Sequence, residues 1–292
     1  MKTGLTTLLR CGPLLLAVCP CLSTSSVAAD LPIVVSVSVP PQAHLVERIG
    51  GDRVEVHVLV PPGASPATYE PSPHQLVALG KSSLYVAVGH PDFLFEQRHL
   101  KRLLAASPGM PLVDMSAGAE ASCLPEEGRD SEEDPHIWLS LRQMRSAVSD
   151  IAAALVRLDP AGTPRYRQNL EDLVSDIDRL DLEIAELMAD KQGRPFMVFH
   201  PAWSHFACEY GLRQMAIEAG GKEPGPAQLV KTIEEARDEG IQVVFVQHGF
   251  SDRSARVIAA ELGAEVESLD PLARDWLENL RYSAHRIASA IR

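Results

Sequence analysis

Apolar residues recur along this chain with two different periods, and the alternation between them lays out the fold. Near-continuous runs rich in Val occupy residues 33–39, 54–60 and 83–89, with a shorter run at 112–115. Runs of this kind fit strands buried on both faces of a parallel sheet. Helix-like segments at 43–49, 74–80 and 93–105 lie between them, and another follows at 141–158. The alternation restarts after Pro195. Strands are expected at 196–199, 213–217, 243–247 and 265–269, and a helix is expected to begin at Pro201. Further helices are expected at 226–239, 254–262 and 276–291.

One segment is longer than the rest. Thr163 and Pro164 offer an N-cap followed by a first-turn proline. Apolar residues then fall at 166, 170, 173, 174, 177, 180, 184, 187 and 188. Spacings of three and four hold one face for about 25 residues, roughly 38 Å of helix. Its end is expected near Gly193 and Pro195. The predicted fold is α/β, with two lobes that each carry a parallel sheet flanked by helices and are joined by one long rigid helix. The boundaries drawn from the pattern are a signal peptide at 1–29, a first lobe at 30–162, the linking helix at 163–192 and a second lobe at 193–292.

Composition narrows the function. Lys2 and Arg10 precede an apolar stretch around residues 14–18, and Val27-Ala28-Ala29 offers small residues before Asp30, the pattern of a secretion signal. Leu16-Ala17-Val18-Cys19 loosely suggests a lipid anchor instead, but Val18 is a poor residue before a modified cysteine, so a periplasmic protein released from its signal is the favoured expectation. Removing Lys2 and Arg10 from the 27 basic residues leaves 25 against 39 acidic ones, a net charge of −14. That balance disfavours nucleic acid, whose phosphates need a basic face. Cys123 and Cys208 remain after export, and an oxidising compartment permits but does not require their pairing. Residues 120–133 contain six acids and no histidine, the composition of a solvated loop.

The chemistry lies just past the strands. His90 follows Ser83–Gly89, His136 sits in Asp134-Pro135-His136-Ile137-Trp138, His200 follows Phe196–Phe199, and Asp270 follows the last strand. Ligands in α/β proteins collect beyond the carboxyl ends of strands. Three imidazoles and one carboxylate from four separate segments form the ligand set of a roughly tetrahedral zinc site. His205 lies five residues after His200, which fits no i,i+4 pair, so a supporting or surface role is expected. His74 and His248 are secondary candidates, and His44 and His57 read as structural or exposed. No Ser-His-Asp order, phosphate-binding Gly-rich loop or nucleophilic cysteine stands out, and the chain is not expected to be an enzyme.

Longer motifs carry a resemblance. They are Leu59-Val60-Pro61-Pro62-Gly63-Ala64-Ser65-Pro66, Tyr69-Glu70-Pro71, Asp134-Pro135-His136-Ile137-Trp138, Val198-Phe199-His200-Pro201-Ala202-Trp203 and Leu269-Asp270-Pro271-Leu272-Ala273-Arg274-Asp275-Trp276. In this order around a long helix, they resemble the metal-binding cluster A-I substrate-binding proteins of ABC importers, and among them the periplasmic zinc-binding group. The resemblance implies capture of a divalent metal in an interlobe cleft and its delivery to a membrane permease. A monomer carrying Zn2+ is expected, with a metallochaperone as a further candidate partner. Manganese-type relatives place a glutamate at the position of His200, so nitrogen there points to zinc.

The chain departs from the pattern at Ala67, where relatives supply a histidine ligand. Either three protein ligands and a water hold the ion, or another histidine replaces the missing one. His90 is the replacement chosen here, because Gly89-His90-Pro91 follows a first-lobe strand. Three competing functions remain: a secreted zinc hydrolase with a three-ligand site, a carrier of manganese or another metal, and an adhesive protein that kept the fold.

Overall fold

The computed structural model describes residues 1, 31–105, 107–118, 134–218, 224–247 and 253–291. The expected signal peptide, the acidic loop, Cys123 and His248 lie outside the described residues. Among the described residues no helix is long and apolar enough to cross a membrane.

The first lobe contains β1 (Ile33–Val37), α1 (Pro40–Gly50), β2 (Val54–Val58), α2 (Pro73–Leu79), β3 (Leu84–Ala87), α3 (Leu94–Ala105), β4 (Leu112–Asp114) and α4 (Leu141–Leu158). Its strands pair in parallel in the order β2-β1-β3-β4. β3 is buried along its whole length, as its unbroken apolar run requires when helices cover both faces. Helix α1 starts three residues earlier than expected because Pro40 and Pro41 occupy its first turn, where a missing N–H costs nothing. A capping box closes α2: Gln75 N–H donates to Ser72 Oγ at 3.3 Å, and the Gln75 side-chain oxygen accepts from Ser72 N–H at 2.9 Å.

The second lobe repeats the plan with β5 (Pro195–Val198), α6 (Ser204–Glu209), β6 (Arg213–Ala216), α7 (Pro226–Asp238), β7 (Val243–Val246), α8 (Arg253–Leu262), β8 (Glu265–Ser268) and α9 (Trp276–Ala290). Its parallel order is β6-β5-β7-β8. Each sheet therefore reverses its strand order beside its first strand, and the crevice outside the strand ends at such a point is where α/β proteins bind ligands. The expected helix at Pro201 begins only at Ser204. The residues between form a tight turn, with Ala202 N–H donating to His200 O at 2.8 Å.

The lobes are joined by α5 (Thr163–Met188), 26 residues and about 39 Å long. Its stripe Tyr166, Leu173, Ile177, Leu180, Ile184 and Met188 is buried, while Leu182, off the stripe, is exposed. The helix packs on α1 and α4 of the first lobe and on α9 after the second sheet. Thr163 is not its cap. It lies inside the first turn with its hydroxyl donating to Pro160 O at 2.7 Å, and Asp159 terminates the preceding turn by accepting from Gly162 N–H at 3.2 Å. The far end stops at Met188, short of Gly193, because residues 188–194 fold into successive turns (Lys191 N–H to Met188 O, Arg194 N–H to Lys191 O) and Gly193 takes a positive φ of 74°.

The period-two alternation of β5 divides the interior. Phe196 and Val198 join the main core with α5, α6, α9 and the first lobe. Met197 and Phe199 face a smaller cluster with Ala236, Val244 and Ile258.

Candidate metal centre

His200 lies two residues past the end of β5, and its surroundings come from the parallel register. Val198 pairs with Ala216 in β6 and with Phe245 in β7. Two residues further along, the same register sets His200 between Glu218 and Gln247. Glu218 N–H donates to Phe199 O at 2.9 Å, and the buried Glu218 carboxylate meets His200 Nδ1 at 2.9 Å. On the other side, Gln247 and His200 both line a cavity of ≈ 10 Å³ with Trp203 and Leu269, about the size of one water-sized sphere. Gln247 Oε1 is buried and has no hydrogen-bond partner among the described residues.

His136 comes from the first lobe, in the segment ahead of α4. Asp134 Oδ1 accepts its backbone N–H at 2.9 Å and meets its Nδ1 at 2.6 Å. Burial lowers the His136 pKa below its ordinary 6.5 despite the opposing charge of Asp134. Burial alone would raise Asp134, but His136, His205 and Ser204 outweigh it and hold the carboxyl well below the usual range. A neutral imidazole donating Nδ1–H to a carboxylate is the resulting state.

The two rings meet. His136 and His200 lie edge to face with centroids 5.2 Å apart and planes at 82°. Each has Nδ1 committed to a carboxylate, so Nε2 is the nitrogen each would present to an ion. Trp138 stands edge-on to His136 at 5.2 Å, shielding that side with apolar surface.

His90 and Asp270 sit at the expected strand ends, half-buried, and each is satisfied locally. His90 Nδ1 accepts from Asp92 N–H at 3.2 Å, and Asp270 Oδ1 accepts from Leu272 N–H at 2.9 Å. Gly89, before His90, has φ +81°, and a Cβ there would fall 1.7 Å from Asp114 Oδ1, so only glycine makes this turn. Among the described residues, no group of three or more His, Cys, Asp or Glu side chains is gathered tightly enough to hold an ion. The structure joins His136 to His200, while His90 and Asp270 keep the local partners just described.

The remaining candidates have other partners. His205 Nε2 donates to Asp134 O at 2.7 Å and its Nδ1 accepts from Gln143 of α4 at 3.0 Å, so the ring ties the His136 segment and α4 to α6. His74 is exposed on α2. His57 meets Glu55 at 3.0 Å, and His44 is tucked beside Trp276. Glu70 is exposed, 3.6 Å from His99. At the position of the missing histidine, Ala67 O accepts from Arg98 at 2.5 Å. Cys208 is disulfide-bonded. Sequence reasoning missed Glu218 and Gln247, because only the pairing of β5 with β6 and β7 brings them beside His200.

The fold and the family are shared with known proteins. A crystal structure of an internal-deletion variant of ZnuA with zinc bound is 42% identical, with a TM-score of 0.82, covering 89% of this chain and 98% of that one. The high-affinity zinc uptake system protein ZnuA of Bacillus subtilis is 26% identical over 243 residues, 80% of this chain and 76% of the relative. The manganese-binding lipoprotein MntA of Halalkalibacterium halodurans is 27% identical over 247 residues, 83% of this chain and 79% of the relative. The family model of ZnuA, zinc-uptake complex component A, periplasmic, matches residues 35–290, and over that span the chain belongs to the ZnuA family.

Proposed function

We propose that this chain is the periplasmic zinc-binding component of an ABC importer, a monomer that takes up Zn2+ between its lobes and hands it to the membrane permease. The observation that carries the reading is the His136–His200 pair at 5.2 Å, with each Nδ1 held by a buried carboxylate. Imidazole nitrogen suits zinc, whereas manganese prefers harder oxygen ligands. Asp270 and His90 complete the proposed ligand set. Asp270 can offer Oδ2 while Oδ1 keeps the Leu272 N–H. His90 must give up the Asp92 N–H to ligate through either nitrogen, at a cost of about 0.5–1.5 kcal/mol. A shell filled by protein leaves no position for an activated water, which is what separates a carrier from a zinc hydrolase.

The test is metal retention from an equimolar mixture of zinc and manganese, measured by elemental analysis on wild type, His136→Ala, His200→Ala and His90→Ala. Zinc should be retained preferentially. The substitutions at 136 and 200 should lower affinity by more than the roughly 10- to 100-fold typical of losing an outer partner, and His90→Ala by less than either. Preferential retention of manganese would make the chain a carrier like its manganese-binding relatives. Retention of neither metal would remove the reading.

A further inference from the structure

Asp134 uses every oxygen it has, one on its own segment and two on residues of the second lobe. Its Oδ1 takes the backbone N–H of His136 at 2.9 Å and meets Nδ1 of the same ring at 2.6 Å. Its Oδ2 accepts from the backbone N–H of Ser204 at 3.1 Å and also from the Ser204 hydroxyl. Its carbonyl oxygen accepts from His205 at 2.7 Å. Ser204 and His205 open α6 in the second lobe, four and five residues after His200, and the turn between is closed by Ala202 N–H on His200 O. Only 9% of its side chain is exposed, which limits the water that can compete for these bonds.

We infer that Asp134 is a positioning residue of the zinc site, a clasp that binds the His136 ring to the segment carrying His200 and sets the separation of the two imidazoles. The inference rests on the zinc-binding reading of His136 and His200. Glu218 plays only half of this role, orienting His200 from the neighbouring strand of the same sheet, within one lobe. Asp134 orients its own histidine and also fixes where the opposite one stands. A carboxylate that only steadied its ring would not need Ser204, and one that only ended α6 would not need the imidazole.

The experiment uses Asp134→Asn, Ser204→Ala, Ser204→Thr and His136→Ala in the full chain. Zinc affinity is read by competition with a chromophoric chelator, and site geometry by the d–d absorption bands of the cobalt(II)-loaded protein. Asparagine keeps the shape but puts an NH2 where one of the accepting oxygens stood. Asp134→Asn should lower zinc affinity on the order of 10- to 100-fold and shift the cobalt bands. Ser204→Ala, which leaves the Asp134–His136 bond in place, should lose less and shift the bands in the same direction, and Ser204→Thr should restore both. Should Asp134→Asn fail to fold, the two Ser204 variants decide the matter. Wild-type affinity and bands in Asp134→Asn or Ser204→Ala, with binding lost in His136→Ala, overturn the clasp and leave the zinc site standing. Wild-type affinity in His136→Ala overturns the zinc-site reading itself, and the clasp with it.

Discussion

The indole N–H of Trp276 donates to the backbone oxygen of Trp138 at 2.6 Å, and the Trp138 indole donates to the backbone oxygen of Pro271 at the same distance. Both rings are fully buried. Trp138 lies two residues past His136, and Pro271 follows Asp270. The tryptophan pair therefore sutures the loop bearing one proposed ligand to the loop bearing another, with two hydrogen bonds that no water can replace.

Trp276→Phe keeps most of the apolar volume and strands the Trp138 carbonyl. An unsatisfied buried acceptor costs about 1–3 kcal/mol. Urea unfolding should show that loss as a lower midpoint with an unchanged slope. A midpoint equal to wild type would mean that the carbonyl is satisfied without the indole.

Zinc and protons compete for His136. Burial places its pKa below 6.5, so the ring is neutral at pH 7 and becomes protonated only as pH falls through a value under 6.5. The contribution of His136 to zinc binding is present above that value and lost below it. NMR titration of the metal-free protein should place the midpoint of the His136 ring signals below 6.5. A midpoint above 6.5 would mean that the Asp134 charge, not burial, controls the ring.

The start of α5 is predicted to be acid-sensitive. Asp159 accepts from Arg53 at 2.6 Å, Tyr166 at 2.7 Å and Gly162 N–H at 3.2 Å, and the Arg53 hydrogen bond leads in holding its pKa down at about 2. A depressed carboxyl pKa stabilises the fold above the unfolded value of 3.8, and that stabilisation is lost as pH falls through about 2. Asp159→Asn should melt below wild type at pH 7, and the gap should close between pH 4 and pH 2. A gap independent of pH would assign the effect to packing.

The elements were legible because their signals are local. Leu173, Ile177, Leu180 and Ile184 recur at helical spacing in any environment, and the apolar run of β3 is covered on both faces as expected, whereas β2 is an edge strand that leaves Glu55 exposed. The ends were less legible. Thr163 looked like a cap, but Asp159 had already closed the turn before it. The supports of the site were harder still. Asp134 could be seen as a neighbour of His136, but its bond to Ser204 spans 70 residues. Glu218 carries no motif, and only the pairing of β5 with β6 brings it to His200.

The order of residues by itself determined two α/β lobes, the long helix between them, and histidines at strand ends, because each follows from periodicity or from the chemistry of a short segment. Tertiary structure decided which of those histidines meet and which carboxylate turns each ring. Those outcomes depend on how loops from two lobes pack, and a hydrogen bond of 2.6–3.1 Å between residues far apart in the chain leaves no periodic trace along it.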